Sequence, residues 1–270
     1  MTYHTYPPSN ELSAFVKCYW TMESSGVPME KQRIVPDGCM EMIFHYGDLY
    51  RQYTDEGNSI VQPRCFVFGQ ITHPLDIEPT GETGIFAVRF YPFGFEPFST
   101  VAMSLLANKA TPLNEIFGEA GSQLQTEVLS ATTAEERIDL CECFFLKLLS
   151  EQHTVQRTVA LCVDAMLKVN GSLSVKEISS RLDINRRQLE RLFSDKIGLS
   201  PKQLSKIVRL QSALKLMLNE ENTRLTSVAY ETDYYDQAHF NKDFKEFTGL
   251  TPKKFFCENL KMSGLFYGKN

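Results

Sequence analysis

Two segments of this 270-residue chain follow one plan. The first, SLSVKEISSRLDINRRQLERLFSDKIGLSP, runs from Ser172 to Pro201; the second, LTSVAYETDYYDQAHFNKDFKEFTGLTP, runs from Leu225 to Pro252. Gly198-Leu-Ser-Pro201 recurs as Gly249-Leu-Thr-Pro252, and Phe193 recurs as Phe244. In each copy a short apolar face (Val175, Ile178, Leu182; then Leu225, Val228, Ala229) breaks at an aspartate, Asp183 or Asp233. The face then resumes, with Leu189, Leu192 and Phe193 in one copy and Phe240, Phe244 and Phe247 in the other. Two short helices joined by a turn of three or four residues, the second helix amphipathic, define a helix-turn-helix candidate.

The local chemistry agrees with that reading. Asn185 and Asp236 are suited to cap the second helices, because their side-chain oxygens can accept from free amides of the first turn. Asp183 and Asp233 fall where the turn favours a left-handed backbone, which Asp tolerates better than most residues. Gly198 and Gly249 end the second helices, and a proline three residues later prevents continuation. The outward side of the first such helix carries Arg186, Arg187, Glu190 and Arg191. That of the second carries Gln237, Ala238, Asn241 and Lys242, with His239 and Lys245 beside them. Arg pairs bidentately with guanine edges or phosphate, Gln and Asn pair with adenine edges, and a small Ala meets a thymine methyl. A polar solvated face is the competing explanation for either helix alone; its recurrence with matching turns and stops argues against it.

Between the copies, Gln203–Asn222 is a strong helix former with Ile207, Leu210, Leu214, Met217 and Leu218 on its apolar side. Such a rod, roughly 27 Å long, would hold two recognition helices about one DNA turn apart. Tethering raises the effective concentration of the second module once the first has bound.

These residues resemble the AraC/XylS family of bacterial transcription regulators over about Val159–Phe256, most specifically through Asp236–Pro252. By position, the resemblance places base-facing residues at Arg187, Glu190, Arg191, Gln237, Ala238, His239, Asn241 and Lys242. The departures are Asp183 and Asp233, where the family usually has glycine. A weaker resemblance, carried by Ile34–Phe44, links the first half to sensor regions of some family members. It implies an effector-binding domain, a dimerisation domain or both. The implied partners are double-stranded DNA, a small-molecule effector, a second copy of the chain and RNA polymerase, with no cofactor and no membrane.

Charge divides the chain in the same place. Residues 1–150 hold 9 Lys and Arg against 19 Asp and Glu, whereas residues 151–270 hold 19 against 14. Only the second half is suited to meet a polyanion. The expected organisation is therefore α+β: an N-terminal domain over 1–150 and an all-α DNA-binding domain over 155–260, with the boundary within Ser150–Thr158.

In the first half, Ala14–Met22, Cys39–Tyr46, Arg64–Ile71 and Gly84–Pro92 read as strands, separated by turns such as Pro36-Asp37-Gly38, Tyr46-Gly47-Asp48 and Glu56-Gly57-Asn58. A small barrel or sandwich is expected, with a helix at Ala134–Leu149 packed on it or on a second subunit. A further helix should start near Val155 and end before Asn170-Gly171. The aromatic set Tyr19, Trp20, Phe44, Tyr46, Phe66, Phe68, Phe86 and Phe90 forms either a core or the lining of a ligand pocket. Trp20, Glu41 and Phe44 are the candidate ligand contacts.

His4, His45 and His73 are isolated and lack metal-ligand spacing, and no GxSxG, P-loop or GxGxxG occurs. Seven scattered cysteines without a CxxC pair indicate a reducing compartment. With no signal-like segment and no apolar run long enough to span a bilayer, a cytoplasmic location is expected. The functional expectation is a sequence-specific transcription regulator, an activator, gated by its first domain. The alternatives are an enzyme or repair protein that uses the modules only for targeting, and an interaction protein whose first domain only pairs subunits.

Overall fold

The computed structural model describes residues 1–24, 30–54, 57–151, 157–181, 183–219, 225–232 and 234–257. In chain order the first half forms β1 (Thr2–Tyr6), β2 (Val16–Ser24), β3 (Gln32–Ile34), β4 (Met40–His45), β5 (Tyr50–Tyr53), β6 (Ser59–Val61), β7 (Cys65–Phe68), β8 (Leu75–Pro79) and β9 (Thr83–Phe90). A 3₁₀ turn at Glu96–Phe98, α1 (Met103–Leu106), β10 (Ala110–Pro112), α2 (Leu113–Phe117), α3 (Glu119–Ser130) and α4 (Ala134–Glu151) follow. The second half is helical: α5 (Arg157–Lys168), α6 (Val175–Arg181), α7 (Arg186–Lys196), α8 (Pro201–Asn219), α9 (Leu225–Glu231), α10 (Gln237–Thr248) and α11 (Pro252–Cys257).

The strands pair antiparallel in two sheets, ordered β1-β2-β9-β4-β7-β10 and β3-β8-β5-β6. The sheets do not close on one another, so of the two expected architectures the sandwich holds and the barrel does not. Three layers result. Trp20, Met22, Phe66, Phe68, Ile77 and Ile85 fill the space between the sheets. On the other face of the larger sheet, Tyr19, Met42, Phe44, Phe86 and Phe90 pack against helix residues Leu113, Leu124, Cys141 and Phe145. Every residue of β9 is buried, as expected of a strand covered on both faces.

All four expected strands are present, with boundaries shifted by no more than about three residues. The expected helix at Ala134–Leu149 is α4, and it lies on the sheet: Phe145 meets Phe90 at 5.5 Å and Phe98 at 4.7 Å between ring centroids. The helix expected from Val155 is α5, and it ends at Lys168, before Asn170 and Gly171, both left-handed at φ 51° and 74°. The expected boundary at Ser150–Thr158 falls mostly on residues 152–156, which lie outside the described residues, as do Leu182, Asp233 and Glu56 of the expected faces and turns. Among the described residues, no helix is long and apolar enough to cross a membrane.

Phe145 is fully buried between α4 and the sheet. Phe145→Ala is expected to cost about 3–5 kcal/mol of unfolding free energy, as a transfer and a cavity contribution together. Urea denaturation followed by circular dichroism measures it.

Candidate nucleic-acid interface and interior cavity

The first module begins at Ser174, whose amide and hydroxyl both donate to Glu177 Oε2 (2.8 and 2.6 Å), while Glu177 N donates back to Ser174 Oγ at 3.2 Å. This reciprocal capping box fixes the start of α6. Asp183 then adopts φ 50°, and Asn185 Oδ1 accepts from Gln188 N at 2.9 Å to start α7. Leu189 and Phe193 are fully buried, so Arg186, Arg187, Gln188, Glu190 and Arg191 face solvent. Arg186 Nε donates to Glu190 Oε1 at 2.9 Å, which presents the two side chains as one unit on the exposed face.

The second module repeats this arrangement. Asp236 Oδ1 accepts from His239 N at 2.7 Å, and Gly249 ends α10 at φ 73°. Phe240, Phe244 and Phe247 turn inward, leaving Gln237, Ala238, Asn241, Lys242 and Lys245 exposed. His239 differs from its expected exposed place: it is half-buried, its ring edge-on to Tyr234 and its Nε2 3.5 Å from Asp243 Oδ2. Sequence reasoning passed over Tyr235, which is 93% exposed one residue before the α10 cap, and Tyr230, which is 86% exposed. Of the adjacent pair, Tyr234 joins the helical core and Tyr235 does not, a division that sequence alone leaves open.

α8 holds the modules together. Leu204, Ile207, Leu210, Ala213 and Leu214 are fully buried along it. Lys206 Nζ reaches Asp243 Oδ1 and Glu246 Oε2, both at 2.9 Å, locking α10 to α8. Burial opposes the Lys206 ammonium, and the bonds from Glu246 and Asp243 outweigh it, raising the pKa.

The first half touches this domain where α1 packs on α7 and Phe93 on the helical core, and also through one short segment and two polar ties. Gln211 Nε2 of α8 donates to Pro36 O at 2.6 Å, Val35 is buried in the helical core, and Gly38 lies against Leu204 and Ile207. Arg33 holds Asp76 with two hydrogen bonds (2.7 and 2.9 Å) and donates to Thr248 O at 3.3 Å, at the end of α10. Lys196, in the last turn of α7, pairs with Glu96 at 2.7 Å. Both recognition faces stay exposed with these contacts in place.

The other side of the same segment, with the two sheets, encloses a cavity of about 70 Å³. Its polar end is Asp37, Glu41, Arg89 and Trp20. Arg89, 5% exposed, donates to both Asp37 and Glu41, the latter at 2.7 Å, and Trp20 Nε1 donates to Glu41 Oε1 at 3.3 Å. Burial pushes the Glu41 carboxyl up to about 7, with the Trp20 bond and Lys17 pulling it back. The Arg89 guanidinium beside it also favours the ionised form. At the other end His45 is 1% exposed beside Gln62; burial, reinforced by Arg64 and opposed by a Gln62 hydrogen bond, lowers its pKa to about 4, leaving it neutral.

Of the expected ligand contacts, Trp20 and Glu41 line this cavity and Phe44 does not. Along β4, Glu41, Ile43 and His45 point into the cavity, while Met40, Met42 and Phe44 point to the helices. Phe44 is one residue out of phase. Of the aromatic set only Trp20 and Phe68 line the cavity; Tyr19, Phe44, Phe86 and Phe90 belong to the helix-side core.

Paired modules with matching caps, exposed second helices and a shared central rod make the C-terminal half a helix-turn-helix domain, and residues 164–257 match the family model described as a helix-turn-helix domain. These residues belong, more narrowly, to the AraC type. Residues 4–112 match a domain of unknown function, DUF6597. An uncharacterized HTH-type transcriptional regulator of Haemophilus influenzae is 31% identical over 81 residues, 30% of this chain and 27% of that protein. The chain thus spans about a quarter of that relative's length. Another, YidL of Escherichia coli, is 24% identical over 231 residues, covering 80% of this chain and 71% of that protein. Among solved structures, ToxT of Vibrio cholerae is similar with a TM-score of 0.49 and 12% identity, covering 88% of this chain and 98% of that one.

Asp183 tests the turn. Asp183→Gly is expected to change stability by less than about 0.5 kcal/mol, since glycine accepts the same backbone. Asp183→Val should cost roughly 1–2 kcal/mol, the penalty of a left-handed β-branched residue. Denaturant midpoints of the two variants compare them directly.

Proposed function

We propose that this chain is a sequence-specific DNA-binding transcription regulator of the activator type, with a sandwich domain over about 1–150 that senses a small molecule and a reading domain over about 155–260. The observation that carries the reading is the pair of exposed second helices, each capped by its own Asn or Asp side chain and both packed on α8. At 19 residues α8 is about 28 Å long, close to one turn of duplex. Arg187 and Arg191 are assigned to guanine edges or phosphates in one major groove, with Arg186 held by Glu190 at the same face. Gln237, Asn241 and Ala238 are assigned to bases in the next, with Lys242 and Lys245 to phosphates and His239 at the margin. Tyr235 joins this surface at the start of α10.

The cavity supports the sensing half of the proposal. The segment that walls it, Arg33–Gly38, is also the one that grips α8 and the end of α10. A ligand that binds one placement of this segment better than another shifts the population of reading-competent chains by its differential affinity. Dimer formation and contact with RNA polymerase are further parts of the proposal, carried by the resemblance alone.

DNA fragments selected by the wild-type chain from a random pool provide the test. Arg187→Ala combined with Arg191→Ala is expected to weaken binding at least tenfold, about 1.4 kcal/mol or more. It should also flatten the dependence of log affinity on log salt by roughly one to two units. Gln237→Ala with Asn241→Ala should relax base preference and leave that slope unchanged. Fluorescence anisotropy across a salt series reads both. Unaltered affinity and slope in the arginine double variant would falsify the groove assignment.

A further inference from the structure

We propose that the sandwich cavity takes a small organic cation, an ammonium group carried on a compact apolar or aromatic body. The proposal rests on the sensing role just assigned to the cavity and names the chemistry of what is sensed.

The charged end points to a cation. Two carboxylates, Asp37 and Glu41, face one guanidinium, Arg89, whose two terminal nitrogens are already given to them. Glu41 Oε1 accepts from both Arg89 and Trp20, while Glu41 Oε2 receives no hydrogen bond among the described residues. With its carboxyl raised to about 7, Glu41 is ionised in part of the chains near neutrality, and in that form Oε2 only accepts, so what completes it must donate. Lys17, the other cation acting on Glu41, is exposed, and solvent screens it. An anionic ligand would meet two carboxylates and an arginine already engaged; an ammonium meets an open acceptor and an excess of negative charge. The Trp20 ring adds a surface on which a cation or an aromatic body can lie.

The rest of the cavity sets the body and the far end. Ile34, Ile43, Leu75 and Ile77 make its walls apolar. A volume of about 70 Å³ holds a handful of waters, at roughly 10–15 Å³ each on this scale. Their share of bulk liquid, roughly 30 Å³ apiece, corresponds to a single ring with a short chain. His45 lies on the same face of β4 as Glu41, four residues or about 13 Å along the strand. His45 is buried at this end beside Gln62, so a hydroxyl or carbonyl at the ligand's far end would add a hydrogen-bond partner to a polar group that is costly to bury.

Three compounds of similar shape and different charge test this on the full-length chain: 2-phenylethylamine as the ammonium, 3-phenylpropan-1-ol as the neutral form and 3-phenylpropanoate as the anion. Trp20, the only tryptophan, reports from the cavity wall by its emission, and the thermal midpoint is a second readout. The amine is expected to bind saturably and at least tenfold more tightly than either of the others. Glu41→Gln should remove that preference and leave the alcohol's affinity within twofold. If that variant does not fold, the charge series on the wild-type chain decides by itself. A carboxylate that binds as tightly as the amine overturns the charge assignment and leaves the sensing cavity standing. Amine binding that Glu41→Gln does not weaken overturns the assigned head position. No response to any of the three, in emission or midpoint, overturns both the cation and the sensing role. DNA affinity measured on the same preparation keeps the reading domain separate from either failure.

Discussion

The position of α8 governs the molecule. Its apolar side packs on α5, α7, α9 and α10, and it also meets the Pro36–Gly38 turn of the sandwich. Lys206 adds a constraint that apolar packing lacks. Asp243 is 1% exposed, and a buried carboxylate must be paired closely or the burial is strongly unfavourable. Because its partner sits on α8, α10 cannot slide along that helix without breaking the pair. The recognition faces therefore hold a fixed relation to α8, and whatever moves α8 against the sandwich moves both together.

The sandwich reaches this rod through a strand that serves two interiors. β4 sends alternate side chains to the helix-side core and to the cavity, and the Glu41–Arg89 pair lies directly across the β4·β9 register. The Arg89 bond to Asp37 ties the cavity to the turn that precedes β4, whose Asp37 Oδ1 also accepts from Cys39 N at 2.8 Å. The carbonyl of Pro36, one residue earlier, is the acceptor for Gln211. Three consecutive residues thus connect a charged cavity end to the central helix without an intervening loop. A cation bound at Glu41 would compete with Arg89 for that carboxylate and so change how Arg89 is shared with Asp37.

The helical half was legible because its signals are local. Asn185, Asp236, Gly198 and Gly249 act within one turn of where they stand, and each takes the expected place. Two more signals of the same kind went unread: Ser174-x-x-Glu177 and Ser200-x-x-Gln203 both form reciprocal capping boxes. The sandwich was harder. β2, β4, β7 and β9 showed in composition and β1, β5 and β8 did not, while β3 and β6 have three residues each, too few for alternation to register. Phe44 was misplaced because both faces of its strand are buried, so parity shows which residues share a side and not which side holds the cavity. His45 stood in the sequence as an isolated histidine, and its burial in the cavity wall depends on β5 and the loop near Gln62 arriving opposite it.

The uneven charge has a structural use beyond attraction. An acidic sandwich beside a duplex is repelled from phosphate, and a basic helical half is drawn to it, so one face of the protein is selected for approach. At the junction the opposing charges are already paired, Lys196 with Glu96 and Arg33 with Asp76. The cations left exposed include Arg187 and Arg191 on α7 and Lys242 and Lys245 on α10, all on the second helices. Salt weakens this orientation as well as the affinity, because both depend on the same exposed charges. The base discrimination proposed for Gln237 and Asn241 would depend on contact geometry and persist wherever the helix is seated. In the proposed reading the two modules divide the work by chemistry: α7 would be weighted toward charge and α10 toward amide recognition, with both seated on α8.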